Sequence, residues 1–586
     1  MSVVLALMVA AAALSPQALA ASCPTLPAAP PGMRHFKLSV GKLLNSKTQT
    51  LAYNGTAVGP LIRVKLGEPV QIDVTNRDIP DGTSVHWHGQ DQPNSSWADG
   101  VAFVSQAPIP VGATFSYRFV AAPAGTYWYH SHTGEQFGDG LRGPLIVDDP
   151  QDPQKHLYDY DLDAHVIMLA DVFSTTVGQQ LKKLQASGMA MPGAGGAAAK
   201  GGMGGMGGMG GMGGADAAAP PTSCPVSVLD QDISDAPWGG MQANGLGGPG
   251  QPPLVLTVAP GKRYRLRFIG GQSSWAFKVG GPAGGAHKLQ IIALDGRPVA
   301  PRAADAFVIS SGERVDAVLA ADRPVGNYWL DVTTLTGINS PIVVHYEGAP
   351  APMKDAKFMG SLRANYGCAA GVGGKPGVLD LKNATFAALK TGVVPKAATK
   401  SFVLYLANAA SSAPPPRTLA ALLSPAVAAK TRGFKPDTTP VCPPLPDGSK
   451  TNYCWSLNWN IFELPKTPAL FPKSTPGPTT YTLEVTQGDV IDIVLVNPTR
   501  MVHPQHLHGA GFWVLAAGNG EASVGDAPSG WGYAVIRFRA DNPGAWAFHC
   551  HIDLHAASGM FSVIAVRPPK GAKWFAPSGA ACGAAP

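Results

Sequence analysis

The 586-residue chain has few charged residues, 14% of the total against about 25% in an average globular domain. Long coiled coils and charged surface helices are therefore not expected. Its 44 basic and 38 acidic residues give a net charge of +6, and the basic residues are scattered, so we expect no nucleic-acid-binding surface. Beyond the N-terminus, no apolar run reaches the roughly 20 residues that cross a bilayer, so we expect no membrane span.

Glycine and proline, in contrast, are abundant, with 70 and 55 residues. Turn-forming residues at this density favour an all-β protein with many turns. Hydrophobic residues make up 45% of the chain, which is enough for several cores. At roughly 150 residues per domain, the length predicts three or four domains.

Two short patterns each occur three times, in the same order. One is a strand, a tight turn with glycine and a second strand; the other is a glycine followed by an aromatic-rich strand. The first lies at residues 64–70, 258–264 and 485–490, and the second at 125–130, 326–331 and 544–549. Three ordered copies predict three related β-sandwich domains, at about residues 30–150, 160–350 and 395–570.

The N-terminus has the features of an export signal. Residues 3–14 are apolar, and Ala18-Leu19-Ala20 matches a small-x-small cleavage site. Residues 1–20 are therefore predicted to be a signal peptide, and the protein to be periplasmic or secreted. No Lys or Arg precedes Arg34, so a buried N-terminal strand is the alternative.

One stretch of the second predicted domain departs from the pattern. Residues 186–220 are mostly Ala, Gly and Met, and the methionines recur at every third residue: Met203, Met206, Met209 and Met212. This composition cannot bury enough apolar surface to offset the entropy of ordering. We predict a disordered insert here, and another loop at 407–440.

The seven cysteines comprise one candidate metal ligand and six candidates for disulfide bonds. Cys550 lies between two histidines, which suggests a metal-binding role. The other six are Cys23, Cys224, Cys368, Cys442, Cys454 and Cys582. In an exported chain they permit three disulfides, or some remain buried thiols; the nearest pair in sequence is Cys442 with Cys454.

Ten of the fifteen histidines fall in four tight clusters. These are His86 and His88; His130 and His132; His503, His506 and His508; and His549, His551 and His555. Two of these clusters lie in the first predicted domain and two in the last, so we expect metal binding in these two domains. The middle copy of the repeat has Leu330-Asp331-Val332 where the outer copies have histidine. The other five histidines stand alone and are expected on the surface or in the core: His35, His156, His165, His287 and His345.

Strand geometry predicts how the last cluster works. Side chains at i and i+2 share one face of a strand, so His549 and His551 can bind one metal cluster while Cys550 binds a metal on the other side. A thiolate, two imidazoles and a weak thioether form a blue-copper site. Cys550, His503 and His555 supply the strong ligands, with Met560 as the axial ligand.

These motifs resemble the three-domain multicopper oxidases, and the laccases most closely. The resemblance covers about residues 35–150, 160–350 and 475–565. It includes Trp97-Ala98-Asp99-Gly100, Asp139-Gly140-Leu141-Arg142-Gly143-Pro144 and Pro260-Gly261-Lys262-Arg263-Tyr264. It implies three cupredoxin-like Greek-key β-sandwich or barrel domains.

The resemblance also implies four copper ions. A type 1 copper takes His503, Cys550, His555 and Met560, and a type 2 copper takes His86 and His506. A type 3 pair takes His88, His130, His132, His508, His549 and His551. The type 2 and type 3 ions form a trinuclear cluster between domains 1 and 3.

Two carboxylates are catalytic candidates by the same resemblance. Asp99 corresponds to an acid that helps deliver protons near the type 2 copper; the alternative is a turn residue before Gly100. Many bacterial relatives have Glu where this chain has Ala556. Asp553 is a candidate substitute, although it can equally orient a histidine or face solvent.

The predicted reaction couples four one-electron oxidations to reduction of oxygen to two waters. The leading donors are phenols and aromatic amines, as for a laccase, because residues 97–108 and Ala556 are laccase-like. The alternative is a periplasmic cuprous oxidase, because the thioethers of the Met-rich insert select Cu(I), although the insert is equally explained as a linker. A pure copper-storage protein would not need the Cys550 connection between sites. We expect a monomer.

Overall fold

The computed structural model describes only part of the chain. The described residues are 32–43, 50–186, 238–248, 251–274, 276–280, 287–333, 340–352, 378–379, 393–408, 442, 451, 453–464, 480–497, 499, 502–519 and 532–569. The predicted signal peptide lies outside them, as do residues 187–220 of the predicted insert and 409–440 of the second predicted loop.

The first region contains eight strands in two sheets. The strands are β1 (Arg34–Lys42), β2 (Leu51–Tyr53), β3 (Ile62–Lys65), β4 (Pro69–Asn76), β5 (Val85–His88), β6 (Thr114–Val120), β7 (Gly125–Ser131) and β8 (Arg142–Asp148). The sheet orders are β2-β1-β4-β6 and β3-β8-β7-β5. Short 3₁₀ helices lie at Ser96–Ala98, Lys155–Leu157 and Asp163–His165.

The described part of the middle region contains twelve strands in two six-stranded sheets. The strands are β9 (Val166–Phe173), β10 (Trp238–Ala243), β11 (Leu254–Val258), β12 (Arg263–Gly270), β13 (Phe277–Gly280), β14 (Leu289–Leu294), β15 (Arg297–Ala304), β16 (Ala306–Ile309), β17 (Arg314–Ala320), β18 (Asn327–Thr333), β19 (Ile342–Tyr346) and β20 (Val378–Leu379). The sheet orders are β10-β9-β12-β17-β14-β15 and β11-β19-β18-β13-β16-β20. Helix α1 (Val177–Ala186) ends at the first residue of the predicted insert.

The last region contains nine strands in two sheets. The strands are β21 (Lys400–Asn408), β22 (Trp455–Leu457), β23 (Thr482–Thr486), β24 (Val490–Asn497), β25 (Gln505–Leu507), β26 (Trp513–Asn519), β27 (Gly532–Arg539), β28 (Gly544–Cys550) and β29 (Phe561–Arg567), with helix α2 (Asp553–Ala557). The sheet orders are β22-β21-β24-β27-β26 and β23-β29-β28-β25. Strand β21 extends through Asn408, so the loop predicted from 407 starts at least two residues later.

The all-β fold predicted from composition and repeats is confirmed, and the predicted Cys442–Cys454 disulfide is present. The other four candidate disulfide cysteines lie outside the described ranges. Neither described helix is long and apolar enough to cross a bilayer. The exact domain bounds stay a prediction.

The first and last regions share an apolar core. One cluster of buried side chains contains Val85 and Trp87 of β5 together with Ala545 and Ala547 of β28 and Phe561 of β29. Side chains of a strand alternate between its two faces, so this packing uses the face of β5 opposite His86 and His88 and the face of β28 that carries His549. The shared core therefore fixes where the two outer histidine sets meet.

Candidate metal centre

Strand pairing aligns the histidine motifs. In β5 and β7, His86 lies opposite His130, and in β25 and β28, His506 lies opposite His549. Trp87, the middle residue of its motif, points to the other face of β5 and is fully buried in the core. Alternation along β5 thus places His86 and His88 on the face opposite Trp87.

Two imidazole pairs join the first region to the last. His86 Nε2 lies 3.3 Å from His506 Nε2. His88 Nδ1 lies 3.2 Å from His551 Nε2. Nitrogens this close, from residues more than 400 positions apart, form a site that neither end of the chain has alone.

A third group completes the cluster. His549 Nε2 lies 3.2 Å from both His132 Nε2 and His508 Nε2. His130 lies in a group with His86, and its buried Nε2 has no hydrogen-bond partner among the described residues. An unpartnered buried nitrogen is costly, and metal binding would satisfy it.

Burial changes the protonation of these imidazoles. Loss of solvation, assisted by repulsion between neighbouring rings, lowers the pKa of most of them well below the usual histidine value. This applies to His88, His130, His132, His506, His508 and His551. Burial also lowers the pKa of His549, to about 4. The rings are therefore neutral near pH 7, which is the form that binds a metal, and such a set suits copper.

The second candidate site lies on the other side of Cys550. Its Sγ lies 3.8 Å from His503 Nδ1 and 3.6 Å from His555 Nδ1. The two imidazole nitrogens are 3.1 Å apart. Met560 is fully buried, and its backbone oxygen accepts a hydrogen bond of 3.1 Å from the Cys550 N–H. The thiol and the two imidazoles converge as predicted for a blue-copper site, while the Met560 side chain is buried and stays a predicted axial ligand.

The imidazoles of this site are held by their neighbours. The indole of Trp455 packs on both, with ring centroids 4.2 Å from His555 and 4.7 Å from His503. Thr499 Oγ1 lies 2.9 Å from His503 Nε2, so the Nδ1 atom is the one directed at the thiol. The predicted ligand geometry thus rests on packing as well as on the ligands themselves.

Asp99 lies inside the histidine cluster and contacts two of its rings. Its Oδ2 lies 2.9 Å from His508 Nδ1, and its Oδ1 lies 3.2 Å from His86 Nδ1. Gly100 allows this approach: its φ is +83°, and a Cβ there would lie 1.7 Å from the Val85 oxygen. The carboxylate is the hydrogen-bond acceptor of His508 Nδ1, while His86 Nδ1 is hydrogen-bonded to the Asp99 backbone oxygen at 2.9 Å. An oxygen on Nδ1 leaves each Nε2 lone pair free for a metal. Asp99 is therefore more than a turn residue, while its predicted role in proton delivery stays a prediction.

Asp553 begins helix α2, next to the cluster. Its Oδ2 accepts a hydrogen bond of 3.2 Å from the Gly138 N–H, and its own N–H donates to the Ser273 oxygen. Burial, with repulsion from Glu135 and Asp139, raises the pKa of its carboxyl well above the usual value. Asp553 is buried and does not face solvent; its catalytic role stays a prediction.

Besides Trp455 and Thr499, Ser311 and Gln505 also contact candidate ligands and were missed by the sequence analysis. Ser311 Oγ, from the turn between β16 and β17, lies 2.9 Å from His551 Nδ1. Gln505 Nε2 donates to Met560 Sδ at 3.7 Å. Gln505 had a signal, because it lies inside the 503–508 histidine motif, one residue before a candidate ligand. Ser311 had none, because it is distant from every histidine cluster in sequence.

The isolated histidines lie outside the four groups that could hold a metal. His35 pairs with Asp73 at 2.6 Å, His287 with the Tyr346 hydroxyl at 2.7 Å, and His345 with Asn327 Oδ1 at 2.7 Å. His165 is buried beside the ring of Tyr264, and His156 is exposed.

Comparison with known proteins decides the family. Three family models, each described as multicopper oxidase, match residues 38–152, 163–349 and 436–570. The chain belongs to the multicopper oxidase family. The oxidase is 30% identical to laccase-5 of Trametes villosa over 543 residues, 87% of this chain and 84% of that protein. It is 29% identical to L-ascorbate oxidase of Cucumis sativus, with coverage of 91% and 89%.

The fold of the oxidase matches solved multicopper oxidases. The structure of Fet3p, described as a multicopper oxidase that functions in iron import, covers 94% of both chains with a TM-score of 0.66. Sequence identity to it is 19%, so the likeness shows the shared cupredoxin-like fold alone. The family models and the laccase and ascorbate oxidase relatives, rather than this likeness, show that the chain is a copper-dependent oxidoreductase that uses oxygen, as predicted.

Proposed function

We propose that the oxidase is a laccase, which takes single electrons from phenols or aromatic amines at a type 1 site. The site is formed by His503, Cys550, His555 and Met560. Bound copper supplies the one-electron chemistry: four donors each lose one electron, and one O₂ gains four electrons and four protons to give two waters. The chain binds the metals, connects the two sites and, by burial, keeps most imidazoles of the histidine cluster neutral.

The observation that carries this proposal is the position of Cys550. Its thiol lies 3.6 Å from His555 Nδ1, while its chain neighbours His549 and His551 point into the histidine cluster, 3.2 Å from His508 and His88. One residue thus joins the two sites through covalent bonds. A copper-storage protein has no need of such a connection.

The ligand groups support four copper ions. We assign His86 and His506 to the type 2 ion, because their Nε2 atoms face each other at 3.3 Å. The type 3 pair takes two sets of three. One set is His88, His130 and His551, and the other is His132, His508 and His549.

The assignment of phenols as donors rests on the laccase-like residues 97–108 and on the laccases among the relatives. A cuprous oxidase is the second candidate, favoured by the four evenly spaced methionines of residues 203–212. Steady-state rates with a phenol and with Cu(I), on one copper-loaded preparation, distinguish the two. A clearly higher kcat/KM for Cu(I) would reverse the proposed order.

Substitution of Cys550 tests the proposal directly. Cys550→Ser removes the soft ligand and the connection together, so we expect loss of the blue colour and of phenol-dependent oxygen uptake. The variant should still bind copper in the histidine cluster, which metal analysis can measure. A blue, active Cys550→Ser protein would refute the assignment. Export and a monomeric state stay predictions.

A further inference from the structure

The turn between β16 and β17 reaches from the middle region into the histidine cluster. Ser311, in this turn, is 2% exposed. Its Oγ lies 2.9 Å from His551 Nδ1, 2.8 Å from the His551 oxygen and 2.5 Å from the Gln272 oxygen. A buried hydroxyl with three close partners is fixed in place, and one of these partners is a proposed type 3 ligand.

We infer that Ser311 is a positioning residue for His551, so that the region without predicted ligands holds one side of the type 3 pair. The inference rests on the proposed function, since it takes His551 as a ligand. It assigns to the middle region a part in oxygen reduction that does not require binding a metal.

The hydrogen-bond directions specify what Ser311 does. A hydroxyl donates once and accepts through two lone pairs. Both oxygens beside it can only accept, so the Ser311 hydrogen is directed to the Gln272 or His551 oxygen. Its lone pair is then left to accept from His551 Nδ1–H. This holds the neutral tautomer in which Nε2 carries the lone pair, and Nε2 is the atom 3.2 Å from His88.

The next residue shows how closely the turn approaches the cluster. Gly312 has a φ of +86°, and a Cβ there would lie 2.9 Å from His551 Cδ2 and 3.2 Å from His88 Cε1. Arg314 fixes the turn by donating from Nη1 to the Gly312 oxygen at 2.6 Å and from Nε to the Thr126 oxygen at 3.3 Å. The turn is therefore anchored to the first region while it contacts a ligand of the last.

Ser311→Ala would remove the hydroxyl that accepts from the His551 Nδ1–H and leave that group only its contact with the His551 backbone. Groups that orient metal-bound histidines contribute about 10- to 100-fold to metal affinity or activity. We expect a loss of this size in type 3 copper affinity, and a ring free to adopt the other tautomer. The type 1 site, on the other side of Cys550, should be unaffected.

The chain contains a matched control. Ser310 lies in the same turn and is also 2% exposed, but its Oγ has no hydrogen-bond partner among the described residues. Ser310→Ala removes the same atom at the same depth without touching His551. Ser311→Thr keeps the hydroxyl and tests whether a hydroxyl alone restores type 3 copper binding.

The experiment measures copper per chain, the blue band and the electron paramagnetic resonance spectrum of wild type and the three variants, each loaded with copper. A coupled type 3 Cu(II) pair is silent in this spectrum. We expect Ser311→Ala to keep the blue band but lose type 3 copper or show a new signal from uncoupled Cu(II). Ser310→Ala should match wild type, and Ser311→Thr should recover most of the loss.

Two results would overturn the inference. Either Ser311→Ala keeps a silent pair at wild-type affinity, or Ser310→Ala shows the same loss, which would mean that any cavity in the turn has this effect. If wild type itself binds no type 3 copper pair that is silent in the electron paramagnetic resonance spectrum, the proposed trinuclear cluster is wrong. The inference about Ser311 is then wrong as well. The blue band reports folding of the last region in every variant.

Discussion

Strand β7 of the first region and strand β18 of the middle region occupy the same place in the repeat but differ in what they present. In β7, His130 faces His86 across the ladder. In β18, Asp331 faces Gly280 at the corresponding position. Both strands bury the residue at this position. The backbone pairing and the burial are therefore independent of histidine, and the ligand pair is a separate property of the outer copies.

The middle copy shows that a repeat without candidate ligands can still contact the histidine cluster. Its ladder depends on backbone hydrogen bonds and on apolar neighbours such as Val279 and Val332, which pair across the two strands. Its contact with the cluster comes instead from Ser311. Residues that form the fold and residues that form the metal centre can thus change separately.

The largest effect is expected when a proposed ligand is removed from an outer copy of the repeat. His506→Ala opens the proposed type 2 site, so we expect oxygen uptake to fall at least about 100-fold while the blue band remains. The type 1 site should accept an electron from a phenol and stay bleached in air. His345→Ala, an isolated histidine of the middle region, is the control and should behave as wild type. Normal turnover in His506→Ala would show that the type 2 assignment is wrong.

Two buried aspartates give the next test. Asp99 contacts His86 and His508, whereas Asp331 occupies the position in the middle copy that corresponds to a candidate histidine ligand of the outer copies. Asp99→Asn keeps the shape but removes the carboxylate, so we expect turnover to fall roughly 10- to 100-fold. Asp331→Asn should leave oxygen uptake and copper content unchanged. If the two substitutions lowered oxygen uptake equally, Asp99 would have no special role in the histidine cluster compared with Asp331.

Asp331 also makes the stability of the middle region depend on pH. Burial, partly offset by attraction to Lys278, raises the pKa of its carboxyl from 3.8 to about 6. The native state therefore keeps the proton at a pH where the unfolded state has lost it. The stability of wild type falls relative to Asp331→Asn as pH rises from about 4 to about 6.

Calorimetry of the copper-free protein can measure this effect. The melting temperature of Asp331→Asn minus that of wild type should increase between pH 4 and pH 7. A difference that stays constant over this range would mean that the carboxyl titrates normally.

Deletion of residues 187–220 should have the smallest effect. Because the segment is mostly Ala, Gly and Met, it offers little to pack. We expect the melting temperature, the blue band and phenol turnover to change little. Weaker Cu(I) turnover at low copper, reproduced by Met→Leu substitutions, would support the cuprous-oxidase alternative; unchanged Cu(I) kinetics would support a linker.

The candidate ligands could be predicted from the sequence because they lie in short motifs on strands. Alternation along β28 is enough to separate His549 from Cys550. The residues that hold the ligands could not be predicted in the same way. Ser311 lies 240 residues before His551, and the contact exists only because the middle region packs against the last. Gly138 of the first region meets Asp553 across 415 residues because the first region also packs against the last.

The shared core of the first and last regions has a consequence for biosynthesis. Val85 and Trp87 pack in one cluster with Ala547 and Phe561, and His86 meets a nitrogen 420 residues later. Domains near the N-terminus fold while the rest of the chain is still being synthesised. The first region therefore emerges with half of the proposed histidine cluster and an apolar face without its partner. Copper loading of the histidine cluster must follow completion of the chain, and truncation before β28 should give a protein that aggregates.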